Sequence, residues 1–452
     1  MVATRGMLAT LTSAAELRAA AIAYRFRESL FLLPATIVAA GAVVAVLAAE
    51  ADRRLGPEAP AWLPRSDAGT ATWVLATIAG AMITTAGVVF SLTVVSLQLA
   101  SSQLSPRVMR SFIRDRISQV VIGALVATFV HCMLTLRRLP GEATAPGPPL
   151  GVTIAVTMSL ATVLLIVAHL DHLARRLQVG EIVRGILDEG LRTIDRVDRV
   201  ARREQRLAAD AVPEQPADAA VVPSPRDGWV TSSLSHRMMR LVPPGTVVRL
   251  ETRTGAYIHA GEPLVTLWPA DPRAHRRLER VAAGIGIADA RTMQEDVDFA
   301  IRQLVDIGLR ALSPAVNDPT TAVEAILRLG GLMRRLLTAE LPAEVAGDAE
   351  GRVVVRPWDL TPDEYVDHAF EQLRHSGADQ PLVMAALVRV LRMLLLHLEQ
   401  QGRPADGTGL QRHLDLVEDA VGTGRGITDA DVDRVTRIAR SPRDPAEHLP
   451  DA

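Results

Sequence analysis

Apolar side chains are distributed along this chain in two regimes that change near residue 172. Before that point four runs, at about 30–49, 73–100, 117–136 and 150–170, are apolar on every face and long enough to cross a bilayer. Beyond it, apolar residues recur among charges at helical or strand spacing, the pattern of elements with one buried face. The expected fold class is therefore mainly α. A four-helix transmembrane region leads into an α+β part with a small β-hairpin or barrel-like module and a helical C-terminal domain.

The second run is the most informative. Trp73 to Ser105 holds neither charge nor proline, so one helix of about 50 Å is allowed, against a hydrocarbon core of roughly 30 Å. Along it Thr84, Ser91, Gln98 and Ser105 recur every seventh residue, and Ala76, Gly80 and Gly87 add small side chains to the same side. This polar stripe is either a helix–helix packing seam or a face that lines a pore. Pro106 ends the helix, and Arg107, Arg110 and Arg114 follow as a basic collar that marks the cytoplasmic side.

Arg5, Arg18, Arg25 and Arg27 precede the first run, and Arg175, Arg176 and Arg184 follow the fourth, so both termini are expected in the cytoplasm of a plasma (inner) membrane protein. Glu50 to Thr72 and Leu139 to Pro149 then become external loops. His131 lies inside the third run, where donation to a backbone carbonyl is the simplest role for a neutral imidazole. His169 and His172 share a helix face beside Asp171, but no third ligand stands at compatible spacing and no metal is expected.

Residues 173–209 read as an amphipathic connecting helix that continues the fourth span, with Leu177, Ile182, Ile186, Leu191 and Ile194 along one face. Residues 210–223 read as a Pro/Ala-rich linker, and 224–269 as a β module of short alternating runs punctuated by glycine. Within it, Thr254 to Leu264 resembles the hairpin turn of biotinyl/lipoyl-type small barrels. Those domains carry their cofactor on a lysine, and this chain has no lysine at all, so only the shape is shared.

Residues 270–445 read as a helical cytoplasmic domain. Val297, Ile301, Leu304, Gly308 and Leu312 form an apolar face, while Asp298, Arg302, Asp306 and Arg310 form a four-residue ladder expected on the solvated side. Ser313 to Pro319 breaks that helix, and Asp318 followed by Pro319 is a good start for the next. If the turn folds back, Arg302, Gln303, Asp306, Arg310, Ser313, Asn317 and Asp318 make a candidate site for a small anionic ligand. Arg352, in a short strand-and-loop segment, is expected to matter less. Leu382 to Leu398 is apolar enough for a fifth span, but Arg389 and Arg392 near its centre favour a buried helix.

The formal charge of −2 gives no reason to expect nucleic acid as a partner. Without lysine, Schiff-base chemistry and lysine-borne cofactors are excluded, and the single Cys132 excludes an intrachain disulfide. No phosphate loop or HExxH motif is present, so an enzyme is the least favoured class and no cofactor is implied.

Phe90 to Arg107 (FSLTVVSLQLASSQLSPR) and Phe299 to Ala322 (FAIRQLVDIGLRALSPAVNDPTTA) resemble the two signature blocks of a family of predicted bacterial integral membrane proteins, domain-of-unknown-function family 2254. The family's pattern has a glycine where this chain has Ala300 and paired histidines where it has Asp171 and His172. The resemblance implies membrane localisation and fold rather than an activity. The expected function is an oligomeric, channel-like or transport-associated protein with a cytoplasmic regulatory domain. The alternative is a membrane-anchored sensor or scaffold for a ligand or protein partner. In both, the bilayer and further copies of the chain are partners.

Overall fold

The computed structural model describes residues 32–55, 63–64, 66–103, 116–176, 179–232, 239, 242–269, 284–421 and 427–440. The chain divides into two compact units, Met1–Gln178 and Val179–Ala452.

The first unit is built on four long apolar helices: α1 (Leu32–Leu55), α2 (Ala68–Gln103), α3 (Arg116–Leu136) and α4 (Pro149–Arg176). Glycine sets how closely α1 and α3 approach. A Cβ placed on Gly41 would lie 2.9 Å from the Ala127 Cβ, and one on Gly123 would lie 3.0 Å from Ile37 Cδ1. α2 packs through the buried row Leu75, Met82, Val89 and Ser96. α3 and α4 are joined by Thr128 and Thr162, whose hydroxyls meet at 3.3 Å. His131 is buried, and its Nε2 donates to the Gly151 carbonyl at 3.0 Å, which is the role expected of it.

α1 outruns its expected end at Ala49 by a turn and a half. Glu50 ion-pairs with Arg53 and Arg54 on the next turn and supports that extension. The extension also has a use: the Asp52 carboxylate accepts from the Leu150 and Gly151 amides at 2.9 and 3.0 Å and caps α4.

The second unit opens with α5 (Val179–Ala201), whose buried face is Val183, Ile186, Gly190, Thr193, Ile194 and Asp198. α4 is described as far as Arg176 and α5 from Val179; residues 177–178, where the connecting helix is expected to continue the fourth span, lie outside the described residues.

Nine short strands follow in chain order, β1 (Gln205–Arg206), β2 (Ala220–Pro223), β3 (Gly228–Ser232), β4 (Val247–Leu250), β5 (Tyr257–Ile258), β6 (Pro263–Trp268), β7 (Gly286–Ala288), β8 (Val345–Gly347) and β9 (Val353–Val355). They form a six-stranded sheet ordered β1-β8-β9-β4-β6-β2 and a three-stranded sheet ordered β5-β3-β7. The β4–β9 pair is parallel, with Val247 opposite Val353. The hairpins expected between 224 and 269 are therefore completed by strands nearly a hundred residues further on. Ala220–Pro223, inside the stretch read as linker, is an edge strand against β6.

The helices are α6 (Val297–Ala311), α7 (Pro319–Leu336), α8 (Pro362–Ser376), α9 (Pro381–Gln400), α10 (Thr408–Val421) and α11 (Asp429–Arg440). α9 is a fifth helix long and apolar enough to span a membrane. Val383 to Val388, Leu391, Leu394 and Leu398 are nevertheless buried among the helices of this unit, and Arg392 donates to the Ile438 carbonyl of α11 at 2.6 Å. Of the ladder expected on the solvated side of α6, Asp298 is 2% exposed, while Arg302, Asp306 and Arg310 are half-buried.

Candidate functional site

On α2 the expected stripe and the packing surface are different faces. Thr84, Ser91 and Gln98 each lie two residues beyond the buried Met82, Val89 and Ser96, about 200° round the helix, and all three are exposed. Ala76, Gly80 and Gly87 are exposed with them, and a Cβ added at either glycine would meet nothing within 4 Å. The stripe is thus not a seam among the four helices described here. Thr84 satisfies its hydroxyl within the helix by donating to the Gly80 carbonyl at 2.8 Å. Ser105, Arg107, Arg110 and Arg114 lie outside the described residues.

The cluster expected around α6 is spread over different surroundings. Asp318 caps α7, accepting from the Thr321 amide at 3.0 Å and its hydroxyl at 2.6 Å. Those hydrogen bonds hold its carboxyl below the usual range. Asn317 takes the left-handed conformation, φ 47°, that the turn demands, and is exposed. Ser313 donates to the Arg310 carbonyl at 2.6 Å. These bonds are all internal to the turn. Gln303 is buried, while Arg302, Asp306 and Arg310 are half-buried.

A charge network forms instead at the start of α6. Arg291 bridges Asp296 and Asp298, its Nη2 lying 2.9 Å from Asp296 Oδ1 and 2.7 Å from Asp298 Oδ2. His368 of α8 approaches Asp298 Oδ1 at 2.7 Å through Nδ1, and Arg302 stands 3.8 Å away. Burial alone would push the Asp298 carboxyl up, but the hydrogen bonds from His368 and Arg291 outweigh it and hold the group well below the carboxylate range. At Asp296 burial wins, and the carboxyl is raised despite Arg291. Asp296 still caps α6 by accepting from the Phe299 amide at 3.1 Å.

This network forms part of the wall of a cavity of about 560 Å³. α5 contributes Val197 and Val200, the six-stranded sheet Ala346 and Val354, the residue after β9 Arg356, and the start of α8 Tyr365. Arg356 is buried and ion-paired with Glu204 at 2.6 Å. Asp359 is pushed up by burial, against the pull of Arg356 and Arg253. The Tyr365 phenol is pushed up by burial and then by Asp359 and Asp298. Neither the cavity nor the network is visible in the sequence, because Arg291, His368, Glu204 and Arg253 come from four separate segments. The one local signal is Asp296 and Asp298 flanking the first residue of a helix. Arg352 is 6% exposed and donates to the Val242 carbonyl and to Asp348, as a buried anchor. Among the described residues, no three His, Cys, Asp or Glu side chains are grouped to hold a metal ion.

The sequence profile of the family described as "Predicted membrane protein (DUF2254)" matches residues 27–393. The uncharacterized protein Rv1290c of Mycobacterium tuberculosis is 33% identical over 339 residues, covering 72% of this chain and 63% of the relative. The uncharacterized protein Mb1321c of Mycobacterium bovis matches with the same figures. The chain thus spans less than two thirds of the length of these relatives. No solved structure matches.

Proposed function

Since this chain belongs to the DUF2254 family of predicted membrane proteins, we propose that it is an oligomeric, channel-like protein of the inner membrane, with both termini in the cytoplasm and its second unit regulatory. The observation that carries this reading is the uncovered face of α2. Small and polar side chains at Gly80, Thr84, Gly87, Ser91 and Gln98 point away from the other three helices. Hydrocarbon is a poor solvent for a glutamine amide, and glycines invite close approach by another backbone. Four helices leave little room for a pathway inside one copy, so the pathway runs between copies, with this face turned inward.

The purified protein in planar bilayers is expected to carry current above that of empty membranes, and Gln98→Leu and Ser91→Leu to change its size or selectivity. No current, or the same current in both variants, refutes the channel reading. A second reading, a membrane-anchored sensor, draws on the cavity of the second unit. It predicts ligand binding with no conductance.

A further inference from the structure

Several charged side chains around the cavity are already matched: Arg356 by Glu204, Asp296 and Asp298 by Arg291, and Asp348 by Arg352. Arg253 is different. Its one hydrogen bond among the described residues goes to the adjacent Thr254 carbonyl, 3.2 Å from Nη1, and no carboxylate there lies within ion-pairing distance. Arg196, also on the wall, donates to the Gln294 carbonyl and likewise has no carboxylate partner among the described residues. Arg253 and Arg196 thus bring to this wall guanidinium groups that no carboxylate among the described residues pairs with. Arg253, Asp359 and Tyr365 all line this cavity, and Arg253 acts electrostatically on the other two. Burial pushes the Asp359 carboxyl up, against the pull of Arg356 and Arg253.

The wall also carries apolar side chains, among them Val197, Val200, Leu341, Val354 and Leu360. Val200 is 55% exposed, an apolar side chain standing in the open on α5. A volume of about 560 Å³ lies in the middle of the range, about 300–1,000 Å³, of cavities that enclose small molecules.

We propose that this cavity binds an amphipathic organic anion, its carboxylate or phosphate head held by Arg253 and Tyr365 and its hydrocarbon part lying against Val200, Leu341 and Val354. The head gains charge-assisted hydrogen bonds from a guanidinium that no carboxylate among the described residues pairs with. The tail covers apolar wall that is otherwise wet. The site is separate from the α2 stripe and stands whether or not that stripe conducts.

The test is calorimetric titration of the full chain in lipid nanodiscs, with empty nanodiscs subtracted. Octanoate, octyl phosphate, octylammonium and octanol are the probes. Saturable binding is expected for at least one of the two anions and not for octylammonium. Octanoate alone identifies a carboxylate head, octyl phosphate alone a phosphate head, and either supports the site. Arg253→Met should weaken anion binding by at least about tenfold, the loss of one charge-assisted contact. Val200→Trp, at an exposed helix position, should block binding while thermal unfolding stays unchanged. The proposal is overturned if neither anion binds, if octylammonium or octanol binds as tightly, or if Arg253→Met and Val200→Trp both bind the anion as the parent does. Should Arg253→Met fail to fold, Val200→Trp and the octylammonium comparison decide.

Discussion

Asp296 and Asp298 are two residues apart and equally buried, yet their surroundings pull them in opposite directions. Burial raises both, but Asp298 receives hydrogen bonds from His368 and Arg291, whereas Asp296 shares Arg291 and feels Asp298 as a like charge. A carboxylate whose folded pKa is depressed contributes stability that is present above the unfolded value, about 3.9, and is lost as pH falls through the folded value. A raised one does the reverse: it weakens the fold as pH climbs past the unfolded value. Asp298→Asn is therefore expected to destabilise the protein at neutral pH by about 3 kcal/mol, the cost of breaking a buried ion pair. That difference should shrink as the pH falls below about 4. Asp296→Asn should cost clearly less, because asparagine keeps the cap and the raised carboxylate is already held at a cost. Thermal unfolding of the three proteins from pH 3 to 8 measures this, and equal losses at neutral pH would contradict it.

At the scale of elements, periodicity marks which faces are apolar but not which faces meet. On α2 two rows of sevenfold spacing coexist, and burial selects Leu75, Met82, Val89 and Ser96 over Thr84, Ser91 and Gln98. On α6 nearly every side is covered, because α5, α7 and α8 pack around it. α5 comes close because Gly190 has no side chain: a Cβ there would lie 2.8 Å from Leu332 Cδ1 and 2.9 Å from the Ala300 Cβ. The methyl group of Ala300 already occupies part of that contact. Gly190→Ala is thus expected to destabilise by about 1–3 kcal/mol, through overpacking that outweighs alanine's better helix propensity. Chemical denaturation of the full chain checks the sign. A stabilised variant would mean that the helices separate without cost.

At the scale of the whole molecule, the uncovered α2 face makes a prediction about assembly. Cys132 is buried, so a cysteine introduced on the stripe of a Cys132→Ala background would be the one reactive thiol in the chain. If copies meet through this face, Ser91→Cys should cross-link to a dimer under mild oxidation in native membranes. Val156→Cys, on the exposed face of α4, should not. Cross-linking of neither, or of both alike, would count against an interface on the stripe.

How much of this was legible in the sequence follows from the range of each interaction. The four membrane helices, the helical C-terminal part, the cap at Asp318 and the buried character of Pro381–Gln400 all come from residues within a few turns of one another. Their patterns survive in one dimension because helix periodicity and insertion cost are local sums. The sequence by itself therefore determined the class of protein, the number of membrane helices before the second unit, and a polar stripe on the second of them. Tertiary structure alone decided that the stripe faces outward, that β4 pairs with β9, and that Arg291, Asp298 and His368 meet beside a cavity. Those contacts join residues from separate segments, brought together by packing that no local periodicity encodes.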